Sequence, residues 1–358
     1  MLHGCTQDAA DIATGTRLDA LADRAGFIAV YPEQSTEDNP RGCWNWISPH
    51  HQARDLGEPA IIAGITREVL DREATADRDR VWVTGLSAGA TMAGILGATY
   101  PDLYAAVGIH SGLQYAAAPN LPAALIAMAI GGPDPERQGR LARLAMGERS
   151  RVVPVVVVHG DRDRTVRPKN GEQAVRQWLA TNQLAGYDAG WDFTRPDSQR
   201  VEHTTGGLPA AVRCWADGKG RSVVEYWLVA GLGHAWSGGA VTGTHTDPRG
   251  PDATAVMHRF LSQHRLAEAP VRPGGVLSRR VPAGVARRVP AGVARRVPAG
   301  VARRVAARVP ALLSRDGLPA RVLSRVIGTL LHPVRAAQAV RHRLQPARRP
   351  RRRLRIRR

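Results

Sequence analysis

Residues 81–92 read V-W-V-T-G-L-S-A-G-A-T-M, and no other stretch restricts the fold of this chain so tightly. An apolar strand, Val81 to Val83, runs into G-x-S-x-G and straight on into small helix-forming residues. A strand that becomes a helix within so few residues needs a sharp corner. Gly85 and Gly89 remove the Cβ atoms that would clash in it. The corner lifts Ser87 to the tip of a strand, with the free N–H groups of the next helix aimed at it. Such a unit belongs to a parallel sheet covered by helices.

The remainder of the first 265 residues alternates to match. The pattern predicts a helix over 16–25 stopped by Gly26, a strand at Phe27–Tyr31, and a helix over Pro59–Arg72 with Ile61, Ile62, Ile65 and Val69 on one face. Strands follow at Val81–Thr84, Ala105–Ile109, Val152–Val158 and Val223–Val229, with a helix over 88–98 and a last one containing His258–His264. The run V-V-P-V-V-V-V is apolar on both faces, as a strand buried between helical layers must be. Residues 112–151 read as a helical excursion over the active-site edge, and 184–220 as an irregular insertion. The fold class is α/β, with a mostly parallel sheet and helices on both faces.

The formal net charge of +19 divides unevenly. Residues 1–265 hold 26 Lys/Arg against 29 Asp/Glu, whereas 266–358 hold 24 Arg against 2 acids. Domain 1–266 is therefore nearly neutral, and 267–358 is a separate Arg/Pro/Ala-rich tail. R-R-V-P-A-G-V-A repeats in it with a period of eight from Arg279 to Arg303. Proline at every eighth position and almost no aromatics leave the tail little to build a core from, and it is expected to be disordered apart from a short amphipathic helix near 321–331. A tail so basic would bind polyanions without sequence preference. It lacks the interleaved aromatics of a specific nucleic-acid reader, and its composition also fits read-through of GC-rich DNA. No apolar run reaches 18 residues, so no membrane span is expected.

A serine hydroxyl needs a histidine to take its proton, and that histidine needs an acid to hold its tautomer. Both follow Ser87 at strand ends. H-G-D-R-D-R-T-V after Val152–Val158 offers Asp161 and Asp163, and A-G-L-G-H-A-W after Val223–Val229 offers His234. The H-G-x-x-D spacing favours Asp163 as the acid and leaves Asp161 to cap the following turn. The oxyanion would take the backbone N–H of Ala88 and one from H-G-C-T-Q, with Cys5 as the donor. His3 and His159 precede glycines at strand ends and read as structural hydrogen-bonders, and the adjacent His50 and His51 point apart. Neither C-x-x-C nor H-E-x-x-H occurs, so no metal or other cofactor is implied. Trp44, Trp46 and Trp236 could pack or line a substrate site. Trp236, two residues past His234, is the stronger candidate, and Trp44 is carried beside it.

Taken together, His3-Gly4-Cys5-Thr6-Gln7, Cys43-Trp44-Asn45-Trp46, the G-L-S-A-G around Ser87, H-G-D-R-D-R-T-V, G-H-A-W-S-G-G and Thr246–Asp252 resemble the polyhydroxybutyrate depolymerase family of esterases. The resemblance covers about residues 1–265. It implies an α/β-hydrolase fold and a triad of Ser87, Asp163 and His234, with oxyanion amides at Cys5 and Ala88. It also implies a Cys5–Cys43 disulfide pinning the oxyanion loop, which leaves Cys214 over. The activity implied is hydrolysis of small or oligomeric carboxylic esters, of polyhydroxyalkanoate, short-chain or feruloyl type, by an extracellular serine esterase. The alternative is an inactive remnant whose tail binds polyanions such as nucleic acid. Oligomeric state leaves no trace in the sequence. Members of the family have further strands ahead of the H-G-C loop. The resemblance thus implies that a strand beside the nucleophile strand is missing, and that Met1 marks a misplaced start or a truncation. No signal peptide is recognisable at this end.

Overall fold

The computed structural model of the protein describes residues 1–186, 191–205, 207–266 and 355–357. Eight α-helices and ten strands form among them. The main sheet has six strands in the order β2-β3-β4-β7-β6-β5. They are β2 (Trp82–Leu86), β3 (Ala106–His110), β4 (Val155–Gly160), β5 (Ser198–Glu202), β6 (Ala210–Ala216) and β7 (Ser222–Val229). From β2 through β3 and β4 to β7 the pairing is parallel, and β6 and β5 then extend the edge antiparallel.

Strand β4 shows why this sheet sits in the middle. Val155 and Val157 enter one apolar core and Val156 and Val158 the other, all of them essentially unexposed. Both faces of a parallel sheet must be covered, because its crossover helices pack on both. One layer holds α3 (Gly57–Arg72), α4 (Ala88–Thr99), α5 (Leu121–Ile130), α6 (Pro135–Met146) and α7 (Lys169–Leu184), whose buried side chains join the first core. The other holds α1 (Ala9–Thr16), α2 (Leu18–Ala25) and α8 (Ala253–Leu261). No described helix is long and apolar enough to cross a membrane.

Two expectations change. The stretch 184–220 is not irregular, since β5 and β6 both form in it. Its polarity misleads because β5 is an exposed edge strand with only β6 to pair with. The helix expected over 16–25 is α2 alone, and a separate α1 precedes it. Asp8 caps α1 by accepting from the Asp11 N–H, and Arg17 turns between the two at φ +54°.

Strand β1 (Ala29–Tyr31) stands outside the main sheet and pairs antiparallel with β10 (Arg355–Arg357). The remainder of the tail, 267–354 and 358, lies outside the described residues. Among the described residues, the first residues of the chain link β1 to β2 by hydrogen bonds. The Met1 amine donates to Val30 O over 2.8 Å, Leu2 N–H donates to Thr84 O over 2.8 Å, and Leu86 N–H donates to Leu2 O over 3.1 Å. Beside that link lies a cavity of about 600 Å³, lined by Ile28 and Val30 on one side and Trp82 and Val83 on the other.

Candidate active site

Strands β2, β4 and β7 are parallel, so their carboxyl ends lie along one edge of the sheet. Ser87 follows β2, Asp163 follows β4 and His234 follows β7. At the corner between β2 and α4, Ser87 adopts φ +57° and ψ −116°, a strained conformation for a residue with a Cβ. Its N–H donates to His110 O over 2.9 Å, and its carbonyl accepts from Thr91 N–H. A Cβ on Gly85 would stand 2.4 Å from Gly89 C, and one on Gly89 2.3 Å from Leu2 O. The second contact sets the H-G-C backbone directly against the corner. Gly4 also borders the corner, since a Cβ there would lie 3.6 Å from that of Ser87.

The H-G-C loop is fastened at several points. Gly4 N–H donates to Gln7 Oε1, and Thr6 N–H to Arg41 O. His3 Nε2 accepts from Gln34 N–H, and Trp44 Nε1–H donates to His3 O over 3.0 Å. Burial lowers the pKa of His3, in keeping with a neutral ring that accepts. Cys5 is disulfide-bonded to Cys43. The amides of Cys5 and Ala88 donate to no other group among the described residues.

Asp163 is 1% exposed. Its Oδ1 accepts from the N–H groups of Thr165 and Val166, both at 2.9 Å, and its Oδ2 lies 2.7 Å from His234 Nδ1. Burial alone would raise the pKa of this carboxyl. The bonds from His159 and His234 outweigh burial and hold it well below the usual carboxylate range. His234 therefore keeps its proton on Nδ1, which leaves Nε2 as the basic atom. No Ser87–His234 hydrogen bond occurs among the described residues.

Asp161 does not cap the turn after β4. It reaches sideways to accept from Gly231 N–H at 2.7 Å and so braces the acid loop against the histidine loop. The turn is capped by Asp163 itself. Trp44 and Trp236 are 4% and 2% exposed, with their indole N–H groups donating to His3 O and Thr254 Oγ1. Both are largely buried, and each also borders a cavity, Trp236 the one between Val30 and Val83 and Trp44 a smaller one beside Glu58.

His159 is the structural hydrogen-bonder expected from the sequence, whereas the parts played by Asp11 and His110 were not foreseen there. His159 is fully buried, donates from Nε2 to Val166 O over 2.8 Å and lies 3.4 Å from Asp163 Oδ2. Asp11 accepts from Gln7, from Thr244 N–H and from the Thr244 hydroxyl, which ties the oxyanion loop to 244–247. His110 closes β3 opposite Leu86 and touches both the serine and the histidine segments. A histidine ending the strand next to the nucleophile strand was the one available signal.

A parallel sheet that carries a sharp strand–helix corner, an acid loop and a histidine loop along one edge defines an α/β-hydrolase fold. The chain belongs to the esterase PHB depolymerase family, whose sequence profile matches residues 1–195. It is 35% identical over 250 residues to poly(3-hydroxyalkanoate) depolymerase C of Paucimonas lemoignei, an alignment covering 69% of this chain and 55% of that protein. This chain thus spans about half the length of that relative. It is 31% identical over 244 residues to feruloyl esterase B of Neurospora crassa, covering 65% of this chain and 76% of the relative. Among solved structures, an acetyl xylan esterase from Aspergillus awamori superposes with a TM-score of 0.57 at 22% identity, covering 73% of this chain and 86% of that one. That likeness supports the fold.

Proposed function

We propose that the protein hydrolyses carboxylic esters through an acyl-enzyme formed on Ser87. The Asp163–His234 bond carries this reading, because it engages Nδ1 and so turns Nε2 of the ring to the role of proton acceptor on the sheet edge that presents Ser87. As Ser87 Oγ attacks the ester carbonyl, its proton passes to His234 Nε2. The developing oxyanion is held by the amides of Cys5 and Ala88, and Asp163 stabilises the imidazolium. His234 then gives the proton to the departing alkoxide, which leaves as the alcohol. Water, activated by the same nitrogen, attacks the acyl-Ser87 carbonyl, and the acid is released as Ser87 regains its proton.

The family and the named relatives support esters of hydroxyalkanoic, short-chain or aromatic acids as substrates. The Cys5–Cys43 disulfide supports an oxidising, extracellular setting. A fluorophosphonate probe tests the mechanism, since it reacts only with an activated serine beside a working oxyanion site. The full chain should be labelled and should hydrolyse p-nitrophenyl butyrate, and Ser87→Ala should do neither. A wild-type chain that is folded but inert to both would overturn the reading.

A further inference from the structure

We propose that His110 is a positioning residue that locks the nucleophile corner and the catalytic-histidine segment into one unit; this rests on the esterase reading above. Its backbone and its ring do different jobs. The carbonyl accepts the Ser87 N–H over 2.9 Å, at the strained residue itself. The ring Nε2 accepts the Ser237 N–H over 3.0 Å, three residues beyond His234. One residue thus holds the peptide of the nucleophile and the segment of the base, with no side chain between them.

The ring can do this only when neutral, because a protonated Nε2 would direct its N–H at that of Ser237. Its setting enforces neutrality. His110 is fully buried at the end of β3, and because Nε2 accepts from Ser237 N–H the neutral ring carries its proton on Nδ1, 3.1 Å from Ser111 Oγ, which can accept it. Burial, followed by the nearby rings of His159 and His234, holds its pKa down to about 3 against the pull of Asp163.

Further contacts carry the support outward. The ring stacks on Trp236, centroids 4.8 Å apart and planes 25° off parallel. Trp236 Nε1–H donates to Thr254 Oγ1, whose hydroxyl donates to Thr16 O. Ser237 Oγ–H donates to Pro251 O over 2.7 Å. The segment 234–237 is therefore held at several points, and His110 is its side-chain acceptor from the nucleophile side among the described residues. A misplacement of about 1 Å between reacting groups costs roughly 100-fold in rate, so a strut of this kind has a measurable effect.

The test compares His110→Gln, whose Oε1 can reach the Ser237 N–H, with His110→Asn, whose carbonyl is too short, and His110→Phe, which keeps the ring and loses the acceptor. In the full chain, Asn and Phe should lower kcat for p-nitrophenyl butyrate and the fluorophosphonate labelling rate by roughly 10- to 100-fold, with KM changed less than about 3-fold. Gln should recover most of the loss. Amide hydrogen exchange across 233–238 should quicken in Asn and Phe and stay slow in Gln, a readout that holds whatever the chemistry. If Phe fails to fold, the Gln–Asn pair decides. Equal activity and equal exchange in Gln and Asn would overturn the strut. An inert wild type with slow exchange would overturn only the esterase reading.

Discussion

Asp163 and His234 meet across 2.7 Å, Oδ2 to Nδ1, although 71 residues separate them in the chain. The contact exists because β4 and β7 are parallel neighbours whose ends lie side by side. Asparagine at position 163 keeps the size and inverts the hydrogen bonding, favouring the wrong imidazole tautomer. We expect Asp163→Asn to lower kcat by about 10³- to 10⁴-fold with little change in KM, as read by steady-state ester hydrolysis. A drop smaller than tenfold would mean that Asp163 is not the acid.

The strain at Ser87 makes a separate prediction. Glycine tolerates φ +57° and alanine does not, so Ser87→Gly should unfold at a higher temperature than Ser87→Ala, by about 1 kcal/mol in stability. Both should be inactive. Thermal unfolding of the two variants side by side checks it, and coincident curves would remove strain from the description.

The Cys5–Cys43 disulfide spans 38 residues and holds the loop that presents the Cys5 amide. Reduction should lower stability by about 2–4 kcal/mol and slow fluorophosphonate labelling. A Cys5→Ala/Cys43→Ala chain should start from that reduced level and ignore added thiol. Its labelling rate with and without dithiothreitol is the deciding comparison.

Stability should fall on acidification from about pH 6.5. His110 and His264 are each held to about 3, His110 by burial and then neighbouring histidines, His264 by burial and then Arg221. Folded values below the unfolded 6.5 mean that the unfolded chain binds the extra protons between about pH 3 and 6.5. Each group then removes up to about 1.4 kcal/mol per pH unit as pH drops. Asp163 acts in the next window down. Its depressed value contributes stability above the unfolded 3.8, which is lost as pH falls through the folded value. Urea midpoints measured from pH 7 to 4 should slope accordingly, and His264→Leu should make the slope shallower.

The gap beside β2 is also testable. The buried Met1 amine has its pKa lowered to about 5 by burial, so it opposes folding as pH falls from 8 towards 5. Adding a strand-forming segment ahead of Met1 turns that amine into an amide and fills the space between Val30 and Val83. The extended chain should be more stable than the original, and by a wider margin at pH 6 than at pH 9. Identical denaturation curves would show that the space does not accept a strand.

Much of this was legible in order along the chain. Residues 81–92 specify a corner because a strand, two glycines and a helix allow nothing else, and β4 announces itself by valines on both faces. The edge strand β5 was hidden because exposed strands need no apolar residues, so their pattern reads as loop. Trp236 stands two residues from His234 in the chain, but that nearness did not reveal that its ring stacks on His110.

The sequence by itself determined the chemistry on offer: a serine at a strand–helix corner, with an acid and a histidine at later strand ends. Local rules suffice there, since backbone sterics and strand polarity act over a few residues. Only the tertiary structure decided which partner each group meets. Asp161 and Asp163 differ by two positions, and the sideways reach of one to Gly231 and of the other to His234 follows from how adjacent loops pack. The role of His110 was decided in the same way, because its two contacts lie 23 and 127 residues away and no local pattern records them.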